Sequence, residues 1–285
     1  MDGAKQHSRL RKDLAEPINR YFHDPVAGWI VNVLKDTRVM PDQVTYTSIL
    51  IGLASAYFFS IGTAASMIPA GILLEVVLIL DCVDGQLARA KGCSSDWGRI
   101  LDGIAGYISY LAVLFGIMIG LKSQYGALSA IGVTVVLKAI SYDYFKLGIT
   151  TMLEKGYDGN QKEIFDTCRK IGNNPSTVLK IYFFYLRVQE FIFKGRWHTV
   201  AWFEEKIAAG AHEYELAPEQ RGRFGEISQK LMVVWRWNGS DFPLFLLAAS
   251  AVLGFLEPCL IPLPWFLALQ YLMTMVYHLL LHKGL

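Results

Sequence analysis

The sequence predicts an all-α, polytopic membrane protein with six transmembrane helices, an N-terminal juxtamembrane helix and a cytosolic helical insertion. Three observations carry this. Of 285 residues, 53% are hydrophobic and the mean hydropathy is +0.32, too apolar for an ordinary soluble domain. Apolar runs of spanning length recur along the chain. The charges are grouped between those runs rather than dispersed through them.

Residues 1–22 are polar and basic, with Lys5, Arg9, Arg11, Lys12 and Arg20, and are expected to form a cytosolic tail without a cleavable signal peptide. Asp24-Pro25 has the form of an N-cap followed by proline at the first helical position. Behind it Val26, Trp29, Ile30, Val33 and Leu34 keep helical spacing and give one apolar face. With Lys35, Asp36 and Arg38 beside it, this helix lies along a membrane surface or packs on its own protein.

Spanning runs follow at about 44–63, 66–84, 101–121, 126–146, 242–257 and 260–281. The tail, the turn at 85–99 with Arg89, Lys91 and Arg99, and the segment 147–240 hold the basic residues, so all three are expected in the cytosol. Six spans then put both termini there. Glu75 and Lys138 fall inside spans at similar depth, ~9–13 Å from the cytosolic end by helical rise, where a buried ion pair is expected. The segment 147–240 exceeds a connecting loop. Asn173-Asn174-Pro175-Ser176 breaks it, and helical stretches are predicted at about 177–194, 199–213 and 219–236. In the first, Lys180, Arg187 and Lys194 flank Ile181, Phe184, Val188 and Phe191, a pattern of an interfacial helix or of a solvated face on a small subdomain. The predicted organisation is a tail and juxtamembrane helix (1–43), four spans (44–146), an insertion (147–240) and two spans (241–285).

Several chemistries lack support. A net charge of +2 gives no case for nucleic-acid binding. Cys82, Cys93, Cys168 and Cys259 are scattered, without metal-finger spacing. His278 and His282 are four apart at the end of the last span, where interfacial anchoring outweighs metal binding. No Ser-His-Asp order, phosphate-binding glycine loop or haem motif is present.

The stretch from Asp81 to Gly106, DCVDGQLARAKGCSSDWGRILDGIAG, is different. Asp81 and Asp84 are three apart and share a helix face. Asp102 follows a Gly/Ser-rich turn, at the head of the next apolar run. Three carboxylates from two helices suit Mg²⁺, Mn²⁺ or Ca²⁺. An aspartate at a span centre costs roughly 2.5–3.5 kcal/mol, so a cluster there implies a compensating function or position.

This spacing resembles the signature of the CDP-alcohol phosphotransferase family, D-x-x-D-G-x-x-A-R, eight residues, then G-x-x-x-D-x-x-x-D. Asp81, Asp84, Gly85, Ala88, Arg89, Gly98 and Asp102 are in register, and Pro41-Asp42-Gln43-Val44-Thr45 is close to the family's Pro-Asn-x-x-Thr entry to the first span. The resemblance implies metal-dependent transfer of a phosphoalcohol group from a CDP-alcohol to an acceptor alcohol, with release of CMP, in phospholipid or related polar-lipid synthesis. It implies Asp81, Asp84 and Asp102 as ligands of Mg²⁺ or Mn²⁺, with Asp102 also catalytic. Arg89 is implied to contact phosphate, Gly85 and Ala88 to let the nucleotide approach, and Gly98 to permit close packing. The partners implied are a CDP-alcohol donor (CDP-diacylglycerol or a small CDP-alcohol), an acceptor alcohol, the bilayer and a second copy of the chain, with the site at the cytosolic face. The final acid of the signature, the family's base and second-metal ligand, is Gly106 here. Loss of a positioned base typically forfeits about 10²–10⁴ in rate. Asp143 and Asp241 lie at suitable depth to replace it, each with a plain alternative as a helix-end charge. A catalytically impaired homologue that binds CDP-alcohol or lipid is the alternative reading.

Overall fold

The computed structural model describes residues 13–93, 96–173, 175–209 and 218–282, and the side chains at 96–97, 99–102, 218–226 and 282 lie outside the described residues. All regular elements among the described residues are helices. Five are long and apolar enough to cross a membrane: Pro41–Ile61, Ala64–Lys91, Gly103–Leu121, Tyr125–Lys155 and Leu256–Leu281. The run expected as a fifth span is shorter, a helix of 12 residues, Asp241–Val252. It stops early because Gly254 takes a left-handed conformation (φ +77°), and the Phe255 N–H closes back on Ser250 O at 2.9 Å.

The chain divides into two compact units. The first comprises Ala15–Val136 and Gly239–Met273. It begins with a π-helical turn, Asn19–His23, continuous with α1 (Asp24–Leu34). Asp24 is therefore not the N-cap that the Asp-Pro pair predicts. Pro25 has no N–H, and beside this gap in the ladder the Asp24 N–H bonds five residues back, to Asn19 O. The apolar face of α1 is divided. Ala27 and Val31 are buried with Val44, Val83 and Leu87, while Trp29 is 72% exposed.

Next come α2 (Pro41–Ile61), α3 (Ala64–Lys91) and α4 (Asp96–Leu121). They run in alternating directions, so the start of α2, the end of α3 and the start of α4 share one end of the bundle. Small residues let the backbones meet. A Cβ on Gly52 of α2 would lie 2.7 Å from Ser109 Oγ of α4, and one on Gly116 or Gly120 of α4 would strike the carbonyl oxygens of Ala56 or Phe59. The unit also holds α5 (Tyr125–Lys155) as far as Val136, α10 (Asp241–Val252), α11 (Leu256–Cys259) and α12 (Leu263–His282) as far as Met273, the labels α6 to α9 belonging to the other unit. Helix α10 lies close on α3, where a Cβ on Gly71 would come within 2.6 Å of Ala248 O. Phe59, Leu74, Leu78, Ile117, Ile131 and Leu247 fill the core between these helices.

The second unit comprises Leu137–Asn238 and the chain from Thr274 onward. It contains the rest of α5, α6 (Gly159–Asn173), α7 (Thr177–Lys194), α8 (Val200–Ala208) and α9 (Pro218–Trp235). Ile164, Phe165, Cys168, Phe183, Leu186 and Phe203 form its core. Helix α7 buries Phe183 and Leu186 on one side and exposes Ile181, Phe184 and Phe191 on the other. Of its basic residues, Arg187 stacks over the Trp197 ring at 4.1 Å and Lys194 donates to Asp158 Oδ2 at 2.9 Å. His278 is not the interfacial anchor expected from its position. It is buried, accepts a 3.1 Å hydrogen bond from the Trp235 indole, and meets the Phe145 ring edge-on. The His282 side chain lies outside the described residues.

Candidate functional site: the acidic end of α3

The last turns of α3 carry Asp81, Asp84, Gly85, Ala88 and Arg89. Carboxylates near a helix C-terminus face the negative end of its dipole, so their placement calls for cationic company. Asp84 is 4% exposed, and its Oδ2 accepts from the Thr45 hydroxyl at 2.5 Å. Thr45 sits in the first turns of α2, so this bond ties the start of α2 to the end of α3. Asp81, one turn earlier, is half-buried. Arg89 lies back along its own helix, with Nη1 3.4 Å from where a Cβ on Gly85 would be. The glycine thus leaves a bare strip of backbone between the carboxylates and the guanidinium.

Two contacts hold neighbouring segments against this end. Gln86 Nε2 donates to Asp24 Oδ1 at 2.8 Å, anchoring the head of α1. Lys91 Nζ donates to Thr37 O at 2.7 Å in the link to α2. Asp102 and Gly98 are carried by α4; Gly98 is half-buried and the Asp102 side chain lies outside the described residues. Gly106, one turn beyond Asp102, is exposed, and a Cβ there would meet nothing within 4 Å.

The two acids considered as replacements for the missing carboxylate belong to different units. Asp143, in the second unit, accepts from the Tyr185 hydroxyl at 2.9 Å. Asp241 is in the first unit with the motif, at the head of α10. Asp241, Asp81, Asp24 and Glu16 all exert an electrostatic influence on Cys82, the residue after Asp81, so these carboxylates form one acidic neighbourhood. Asp241 Oδ2 accepts from Asn19 Nδ2 at 2.5 Å and Oδ1 from Ser240 Oγ at 3.2 Å. Glu16 accepts from the N–H groups of Asp241 and Phe242, at 3.3 and 3.0 Å, and so caps α10.

Sequence reasoning missed how Glu75 is met. Its Oε1 lies 2.7 Å from Nε2 of His23, a fully buried ring, while buried Lys138 donates to Trp237 O at 3.4 Å. His23 Nδ1 lies 2.6 Å from Asn19 Oδ1. The available signal was the four-residue spacing of Asn19 and His23 within a segment assigned to the tail and its junction with α1.

Asp81 and Asp84 offer hard oxygen donors of the kind Mg²⁺ and Mn²⁺ take. Among the described residues no three His, Cys, Asp or Glu side chains gather as a metal site, and the side chain of the third motif acid, Asp102, lies outside those residues. The donor chemistry of Asp81 and Asp84 therefore fits a hard divalent cation.

A bundle of apolar, spanning-length helices with carboxylates and an arginine at one end has the architecture of an integral membrane protein. Residues 38–192, more than half of the chain, match the model of the CDP-alcohol phosphatidyltransferase family, a family of transferases, and the chain belongs to that family. The archaetidylinositol phosphate synthase of Pyrococcus horikoshii is 34% identical over 113 residues, 40% of this chain and 54% of the relative. The bifunctional IPC transferase and DIPP synthase of Thermococcus kodakarensis is 34% identical over 100 residues, 34% of this chain and 22% of the relative. The protein of the same name from Archaeoglobus fulgidus is 31% identical over 134 residues, 46% of this chain and 25% of the relative. The chain thus spans about half the length of the first of these relatives and about a quarter of the other two.

Proposed function

We propose that this chain transfers a phosphoalcohol group from a CDP-alcohol to an acceptor alcohol, releasing CMP, at the cytosolic face of a membrane in polar-lipid synthesis. The observation that carries the reading is the end of α3, where Thr45-bound Asp84, Asp81 and the Arg89 guanidinium flank the bare backbone at Gly85. Asp81, Asp84 and Asp102 would hold Mg²⁺ or Mn²⁺, which would supply positive charge against the diphosphate and the departing CMP. Arg89 binds a phosphate through its planar donor array. Gly85, Ala88 and Gly98 keep the space that the nucleotide and the neighbouring helix need. The likeness to the Pyrococcus archaetidylinositol phosphate synthase supports a phosphorylated polyol of the inositol phosphate kind as a product component.

The sixth crossing in this reading is α10 with the turn after it. Its helix is about 18 Å long by helical rise, short of the ~30 Å hydrocarbon layer. Asp241 lies in the acidic neighbourhood at one end, and Glu257 beyond Val252 accepts from Ser123 Oγ at 3.1 Å, at the turn between α4 and α5. The segment Asp241–Glu257 therefore runs alongside α3 from the acidic neighbourhood to the turn that follows α4. Both termini and the insertion 147–240 are cytosolic, and the protein works as a homodimer.

The test is CMP release by the purified chain in detergent, with Mg²⁺ or Mn²⁺, from CDP-diacylglycerol and from a small CDP-alcohol. A panel of polyol phosphates and alcohols serves as acceptors. Activity lost in Asp81→Asn is the expected result; release or metal-dependent CDP-alcohol binding unchanged by Asp81→Asn refutes the assignment. Gly106 favours a second reading, a binding protein without turnover, which predicts CDP-alcohol binding and no CMP.

A further inference from the structure

An unbroken line of side chains connects the membrane-embedded Glu75 to Asp241: Glu75 Oε1 to His23 Nε2 at 2.7 Å, His23 Nδ1 to Asn19 Oδ1 at 2.6 Å, and Asn19 Nδ2 to Asp241 Oδ2 at 2.5 Å. It starts on α3, passes through the π-helical turn and ends at the head of α10, inside the unit that carries the motif. We infer that Asp241 takes over the acceptor-activating role left open at Gly106, and that Asn19, His23 and Glu75 are its positioning residues. The inference rests on the transferase reading above.

Hydrogen-bond direction supports it. An ionised Asp241 only accepts, so Asn19 presents its NH₂ to Asp241 and its carbonyl oxygen to the imidazole. His23 Nδ1 must then carry a hydrogen, and a single proton lies between Nε2 and the Glu75 carboxylate. The amide of Asn19 transmits this order. With its oxygen held by His23, it can only donate to Asp241, which fixes the rotamer of the carboxylate. Oδ2 is occupied in this way, and Oδ1, bonded to Ser240 Oγ at 3.2 Å, is the oxygen left for the acceptor. The charged groups around the line are Arg20 in the same π-helical turn, Glu16, which accepts from the Asp241 N–H, and Asp24 and Asp81, which act with Asp241 on Cys82 of α3.

In the step itself the acceptor hydroxyl gives its proton to Asp241 Oδ1. The oxygen's electron pair forms the new bond to the phosphorus distal to cytidine. The bond from that phosphorus to the bridging oxygen breaks, and CMP leaves with the electron pair.

The experiment compares the full chain with Asp241→Asn, His23→Gln and Asn19→Asp for CMP release between pH 5.5 and 9.5, together with the KM for the CDP-alcohol and the thermal midpoint. Asp166→Asn, in the exposed α6 cluster with Lys162 and Arg169, is the control. The expected result is a loss of about 10²–10⁴ in kcat for Asp241→Asn, within the range for a general base, with KM within about threefold of the unaltered chain. His23→Gln should displace the acid limb of the pH profile, and Asn19→Asp, which sets a carboxylate against Asp241, should displace it further to high pH. Turnover that survives Asp241→Asn within a few-fold overturns the assignment and leaves the transferase reading standing. Variants that only lower the thermal midpoint, with unmoved pH profiles, make the line structural and overturn the positioning roles. An unaltered chain that releases no CMP from either donor removes the transferase reading and this inference with it.

Discussion

Gly106→Asp writes back the last acid of the motif, and its effect can be worked from the local structure. Position 106 is exposed on α4 and a Cβ there meets nothing within 4 Å, so the side chain enters without a clash. Replacing glycine inside a helix gains a few tenths of a kcal/mol in helix propensity. A second carboxylate four residues from Asp102 costs about 0.2–0.5 kcal/mol in like-charge repulsion. The two nearly cancel, so folding stability should stay within about 0.5 kcal/mol of the unaltered protein. Function should move much more. A fourth motif carboxylate strengthens retention of the cation and adds a second proton acceptor, for an expected rise in CMP release of about 10- to 100-fold, equivalent to ~1.4–2.7 kcal/mol of barrier. The assay is the initial rate of CMP release at saturating CDP-alcohol over a Mg²⁺ titration, in parallel with thermal unfolding in the same detergent. The half-saturating Mg²⁺ concentration should fall as the rate rises. A variant whose midpoint drops by many degrees would refute the open space at 106. One that is stable but unchanged in rate and Mg²⁺ dependence would show that this face of α4 does not look into the site.

Two further outcomes follow from buried polar groups. Thr45→Val keeps the shape but removes the donor to Asp84 Oδ2; with a charge-assisted bond worth about 1.5–3 kcal/mol, thermal unfolding should show a lower midpoint, partly restored by Mg²⁺, and an unchanged midpoint would remove that bond from the account. Glu190 on α7 is 2% exposed, and burial raises its carboxyl above the ordinary value of 4.5, opposed in part by Lys194, His198, Arg196 and Arg187. A carboxyl raised in the folded state contributes stability below its unfolded value, and that contribution is lost as pH rises through the folded one. Glu190→Gln should therefore be more stable than the unaltered chain at pH 7, with the difference vanishing near pH 4; equal melting curves at both pH values would contradict this.

The spans and the motif were legible because each rests on a local regularity. Apolar length marked the five runs that form spanning-length helices, and the offsets from Asp81 to Asp102 placed the acids at one end of the bundle. What escaped depends on contacts distant in sequence. Glu75 was legible as a group in need of a partner, but nothing near it in sequence names His23, 52 residues away. Asn19 and His23 fell in a stretch assigned to the tail and its junction with α1, where their four-residue spacing marks a common face but names neither Glu75 nor Asp241 as a partner. The shortening of α10 turned on the left-handed Gly254, one residue within a continuous apolar run. His278 looked like an anchor from its place near the chain end, whereas the Trp235 indole draws it into an aromatic core.

The glycine contacts between α2 and α4 have a mechanical consequence. Where two helices touch through backbone atoms, there is no side chain to change rotamer and absorb a sliding motion. Thr45 near one end of α2 and Gly116 and Gly120 near the opposite end of the bundle are thus parts of one stiff beam. A bilayer thicker or thinner than the bundle prefers would be accommodated by tilting α2 and α4 together rather than by shearing one past the other. Changes in lipid chain length would then reorient the acidic end of α3 relative to the membrane plane while leaving the spacing of its carboxylates intact.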